Sequence, residues 1–275
     1  QATGGPGGMY DGGYDLLEVW NGYDLSRPTF VDRVFQEWLA LLENGVRVVG
    51  TGNSDSHLVR YYWAGYPRTY VYAPDGTRDP ATVLAALRAG HVFVTSGPFL
   101  EASIAGKRPG ERVVAENGEV LVDIEVRAPA YIDVEELQVF VGRTLVTTVP
   151  IRHAAPVIQP GPAAALEAPR VVRYRGQLRV PVERDAPLVV RVTSDTPMDD
   201  FFGRRAVVPM AFTNPIFVDA DGDGLLRWFP ASPPDAGVPV PRPTADSGAP
   251  STQDGGAEPA PTTDAGASEG GAGQL

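Results

Sequence analysis

The sequence predicts an α/β segment followed by an all-β segment and a disordered tail, and three observations carry that reading. Strand-like and helix-like apolar patterns alternate from Tyr14 to about Pro98. From Phe99 to about Phe229 the helical period disappears and short alternating runs take its place. The last 45 residues hold eight Pro, eight Gly and no Phe, Tyr or Trp, so they bury too little apolar surface to offset the entropy of ordering. The expected partition is therefore 1–98, 99–230 and 231–275, within the one or two domains that 275 residues allow.

Along the first segment, Asp15 to Trp20 (DLLEVW) reads as a short buried strand carrying one Glu. Val31, Val34, Phe35, Trp38, Leu41 and Leu42 recur at helical spacing, with Thr29 and Asp32 as a capping box and Asn44-Gly45 as the stop. Residues 46 to 49 give the next strand, which runs into GTGNSDSH at 50–57, where Gly50 and Gly52 would let the backbone turn at the strand end. A second helix has Asp79 as N-cap, Pro80 at its first position and Gly90 at its end, before a strand over His91–Thr95. In the second segment, Val122, Ile124 and Val126 alternate with polar residues. Leu137, Val139 and Val141 repeat the pattern before a turn at Gly142-Arg143, and Leu188, Val190 and Val192 repeat it again. Several short strands separated by Gly and Pro point to an antiparallel sandwich.

Charge and composition exclude some functions. The net charge of -11, with no run of Lys and Arg, argues against a nucleic-acid partner. No cysteine is present, so disulfides, thiolate ligands and cysteine nucleophiles are excluded. No apolar stretch approaches the roughly 20 residues needed to span a bilayer. The chain starts at Gln1 and is expected to be a fragment lacking its targeting segment; its acidity and its Pro/Ala/Gly/Asp tail fit an exported bacterial protein.

The chemistry concentrates in GTGNSDSH. Asp55 and His57, at i and i+2 on an extended segment, would point the same way and could share one cation; the alternative is a capped polar turn with a solvent-exposed His. Glu18, inside an apolar run, needs a partner if its strand is central and faces water if the strand is an edge.

Five ordered stretches carry a resemblance: DLLEVWNG at 15–22, GNSDSH at 52–57, GYPRTY at 65–70, FVTSGP at 93–98 and TNPIFVD at 213–219. Together they resemble the CehA/McbA family of metallohydrolases, relatives of the PHP (polymerase and histidinol phosphatase) fold. The resemblance implies the C-terminal half of a distorted β/α barrel, with divalent metals (Zn, Mn or Fe) held at the C-terminal ends of strands. It places Asp55 and His57 in the family's last metal-binding motif and Glu18 in its Glu-x-x-Asn strand. The family's His-x-His pair is absent here: His91 and His153 are the other histidines, in a strand start and in a Pro/Ala-rich loop. The expected site is thus partial, and inactive in this fragment.

Around it, Arg68 is a candidate donor to an anionic or carbonyl group of a substrate, and Asn53 a candidate to orient a ligand or water. Asp219, Asp221 and Asp223 have the spacing of a calcium-loop start, but position twelve is Pro230 and not Glu, which leaves a polar turn as the alternative. The expected function is hydrolysis of a small-molecule ester, carbamate or phosphoester by metal-activated water. The rival is a non-catalytic surface protein on a degenerate scaffold, with Tyr61, Tyr62 and Trp63 as stacking surfaces.

Overall fold

A computed structural model describes residues 13–58, 63–129, 131–151, 171–198 and 207–226. The tail at 231–275, Tyr61, Tyr62 and His153 lie outside the described residues.

The alternating apolar and helical patterns of the first segment give β1 (Leu16–Asn21), α1 (Pro28–Glu43) and β2 (Val49–Asn53). β1 and β2 pair in parallel, with Leu16 opposite Val49 and Asn21 opposite Asn53, and α1 is the crossover between them. The helix buries Val31, Phe35, Trp38, Leu39 and Leu42, each contributing about 2 kcal/mol relative to an exposed position. Its start differs from the expected capping box: Arg27 is the N-cap and its side chain bonds Asp24 instead of capping the helix, and Pro28 opens the helix. Proline's fixed φ suits that first position, so the helix begins before Thr29 can cap it. At the far end Asn44 donates its side-chain amide to Ala40 O at 2.7 Å, and Gly45 takes φ 92°.

β2 also differs from expectation, because Gly50 and Gly52 lie inside the strand and not in a turn after it. They are needed for closeness. A Cβ on Gly50 would stand 2.8 Å from the Trp38 ring, and one on Gly52 2.3 Å from Val94 Cγ1. The strand is thereby pressed between α1 and its neighbour.

β3 (Arg68–Val71), α2 (Pro80–Arg88) and β4 (Val92–Thr95) follow. Asp79 caps α2 by accepting from Thr82 N at 2.9 Å, and Gly90 leaves it at φ 78°. The remainder is β-structure: β5 (Phe99–Ile104), β6 (Arg112–Val114), β7 (Glu119–Arg127), β8 (Glu136–Val141), β9 (Thr144–Pro150), β10 (Val172–Pro181), β11 (Ala186–Thr193), β12 (Met210–Thr213) and β13 (Ile216–Asp219).

These strands form two larger sheets. β10-β7-β5 is antiparallel throughout. The other has eight strands in the order β3-β4-β12-β11-β13-β6, with β8 on the opposite edge of β11 and β9 beyond it. β12 and β13 share one edge of β11, pairing with Arg191–Thr193 and Ala186–Leu188 respectively, so the chain between them bends at Asn214-Pro215. The protein is therefore β-rich, with sheets that are mostly antiparallel. Strands from either side of residue 98 share one sheet, because β4 pairs with β12 from Phe93↔Thr213 to Thr95↔Ala211.

The inward faces of both sheets and α1 contribute to a single core. At its centre Phe35 packs edge-on against Phe140 (5.4 Å) and Phe212 (5.2 Å), and Trp38 lies 5.6 Å from Phe212. β11 is buried at every position from Ala186 to Val190, as a central strand must be.

Candidate metal centre

The strand-end loop is positioned by β2, and β2 is held by side chains standing in for a neighbouring strand. Asn214 is fully buried; its Oδ1 accepts from Gly50 N at 2.8 Å and its Nδ2 donates to Gly50 O at 2.9 Å. One residue pair further on, Gly52 N donates to Thr69 Oγ1 at 2.9 Å, and the same hydroxyl donates to Gly52 O at 3.0 Å. Four backbone groups of β2 that face away from β1 are satisfied in this way.

Glu18, the third residue of β1, is exposed, and both its oxygens are bound by amides of the residues that end β1 and β2. Asn21 Nδ2 donates to Oε2 and Asn53 Nδ2 to Oε1, each at 2.9 Å. Asn21 also accepts from Tyr23 N at 2.7 Å, which fixes its orientation. The carboxylate thus sits in a cradle built from both parallel strands.

Past Asn53 the strand stops. Asp55 takes φ 48°, a left-handed conformation that Asp tolerates better than most residues. Asp55 and His57 are therefore brought together by a turn and not by strand alternation. His57 Nδ1 lies 2.8 Å from Asp55 O and 3.7 Å from Asp55 Oδ1. With Nδ1 donating to that carbonyl, the ring's lone pair is on Nε2, the tautomer suited to metal ligation. Both side chains are solvent-facing, at 46% and 69% exposure.

Arg68 is turned toward its own loop. It donates from Nη1 to Gly65 O at 3.0 Å and from Nε to the Tyr70 hydroxyl at 3.2 Å, with its guanidinium against the Tyr66 and Tyr70 rings. His91 opens the approach to β4, and its carbonyl accepts from Tyr72 N at 2.8 Å. Trp63 is 37% exposed.

Among the described residues, the one group of three whose ligand atoms all lie within 4.8 Å of one another is Asp185, Asp219 and Asp221, from the second segment and not the strand-end loop. Asp219 is fully buried and paired with Arg112. Its Oδ1 accepts from Gly222 N at 2.8 Å and its Oδ2 from Gly224 N at 3.3 Å. Burial pushes the Asp219 carboxyl up, but the Arg112 guanidinium and the two amides outweigh it and hold the group below the usual carboxylate value. Asp221 and Asp223 accept from the backbone two residues on, which is the bonding of an Asx turn. The positive charge beside Asp219 is thus supplied by the protein.

Asn214 is the residue that sequence reading overlooked. One signal was available: an Asn between two wholly apolar runs, MAF and IFV, must be buried and must therefore be bonded. No protein-family model matches the chain, and no curated protein matches it.

Proposed function

We propose that the chain contributes the C-terminal ligands of a divalent-metal-dependent hydrolase, exported by its cell, that acts on a small-molecule ester, carbamate or phosphoester. The supporting observation is the juxtaposition of Asp55 and His57 at the ends of two parallel strands, with the imidazole tautomer set by a carbonyl 2.8 Å away. Carboxylate oxygen and imidazole nitrogen are the donors that Zn, Mn or Fe accept. A bound ion would polarise the scissile group and lower the pKa of its water.

The protein's own part is orientation. Asp55 O directs His57; Asn21 and Asn53 hold Glu18, whose oxygens do not converge with those two ligands, as an acceptor for a water proton. In this reading Asn53 acts through Glu18, and Arg68, committed to Gly65 O and Tyr70, shapes the loop.

The test is metal content and thermal stability together. Protein purified without chelator is expected to carry stoichiometric Zn, Mn or Fe and to melt higher with added ion; Asp55→Ala plus His57→Ala should abolish both. A metal-free protein whose melting is unmoved by either ion or mutation rules the proposal out, and leaves the non-catalytic binding protein.

A further inference from the structure

A cleft of about 670 Å³ lies where the β3–β4 edge of the eight-stranded sheet meets the three-stranded sheet, and none of Glu18, Asn53, Asp55 and His57 lines it. That volume is within the range of clefts that enclose small organic ligands, about 300–1,000 Å³.

One wall is aromatic. Tyr70 stacks on Phe93 at 5.0 Å with 7° between the rings, and Phe99 meets Phe93 edge-on at 4.9 Å. Tyr72 extends the wall, with the Arg108 guanidinium 3.6 Å from its ring centroid. Tyr70 and Tyr72 are 39% and 45% exposed, so ring surface is left for a ligand.

The other wall is polar. Along β5 and β7, Leu100, Ala102, Ile104, Val122 and Ile124 are buried, which turns Glu101, Ser103, Asp123 and Glu125 to the opposite face. Ser103, Asp123 and Gln177 stand side by side across the three strands, and Gln177 Nε2 donates to Asp123 Oδ1 at 2.7 Å. In the adjacent row Arg175 grips Glu125 with two bonds, at 2.8 and 2.9 Å.

The charges choose the ligand class. The lining carries Glu101, Asp123 and Glu125 against Arg108 and Arg175, so it has no positive excess to attract phosphate or sulfate. What it offers is an aromatic face beside alternating donors and acceptors. A pyranose matches this, with an apolar C–H face and hydroxyls that both donate and accept.

We propose that this cleft binds a neutral oligosaccharide. A sugar ring lies against the face of Tyr72 opposite Arg108, its hydroxyls donating to Asp123, while the Arg108 guanidinium, stacked 3.6 Å from the tyrosine ring centroid, holds that ring from behind. The site is independent of the strand-end loop.

Saturation-transfer NMR on the full chain tests it, with maltotriose, cellotriose, xylotriose and triacetylchitotriose as probes at millimolar concentration. Transfer to the ring protons of at least one sugar is expected. Tyr72→Ala should weaken that binding about tenfold, the loss of one stacking face. Arg108→Ala, a surface change, should weaken it too, while Asp55→Ala plus His57→Ala should leave it intact, separating this site from the metal proposal. Melting temperature and circular dichroism confirm that each variant is folded. Three results overturn the assignment: no transfer to any of the four sugars, transfer that neither cleft variant reduces, or occupation of the cleft by p-nitrophenyl phosphate in preference to all of them.

Discussion

A buried primary amide brings two donors and an acceptor that water can no longer satisfy, and Asn214 meets that demand by pairing with both polar groups of Gly50. Its shape is what matters, because the amide copies the spacing of a peptide group. Asn214→Leu keeps the volume and removes the bonds, leaving a buried N–H and C=O on β2 unpaired. We expect a loss of about 2–4 kcal/mol in urea unfolding. Glu18 could be picked out in the sequence because an ionisable group stands out in an apolar run, and Asp55 and His57 because they stand two apart in the polar stretch after a strand. Their geometry could not, since it depends on the φ of 48° at Asp55, which spacing does not encode.

At the scale of elements, local chemistry was readable wherever it was sufficient by itself. α2 begins at its Asp79 cap and ends before Gly90 as its sequence implies, and β8 and β9 meet at Gly142, where φ is 59°. Where two local signals compete, as Pro28 and Thr29 do at the start of α1, propensity alone did not decide. Gly50 and Gly52 were misread for another reason: turn glycines and close-packing glycines look alike until the neighbours are known. The packing role gives a test. Gly52→Ala sets a methyl against Val94 Cγ1 and should destabilise by about 2 kcal/mol. Adding Val94→Ala makes room, so the double variant should be about 1 kcal/mol more stable than the sum of the single effects in a chemical-denaturation cycle.

For the whole molecule, the α-to-β succession was legible, but the sheet order was not. Pairing of β4 with β12 joins residues more than a hundred positions apart, and periodicity carries no information on such partners. Acid stability is also a property at this scale. Arg175 and then Arg127 bond Glu125 and bring its carboxyl from 4.5 to about 2, and Asp219 is also held below its usual value. Carboxyls more acidic in the folded than in the unfolded chain stabilise fully above their unfolded values. For Glu125 that contribution is complete above about pH 4.5 and is lost as the pH falls toward about 2. The melting temperature should therefore drop across this window, and Glu125→Gln should melt lower at about pH 6 and show a shallower fall below it.

The bond between Gly50 and Asn214 spans 164 residues of chain. A ribosome makes the first partner long before the second, at about 5–20 residues per second. Through that interval the nascent β2 has β1 on one side and Thr69 at Gly52 on the other, while both polar groups of Gly50 stay uncovered until Asn214 arrives. A chain halted before residue 214 would keep an unfinished sheet edge at Gly50, so synthesis past that residue gates the assembly of β2.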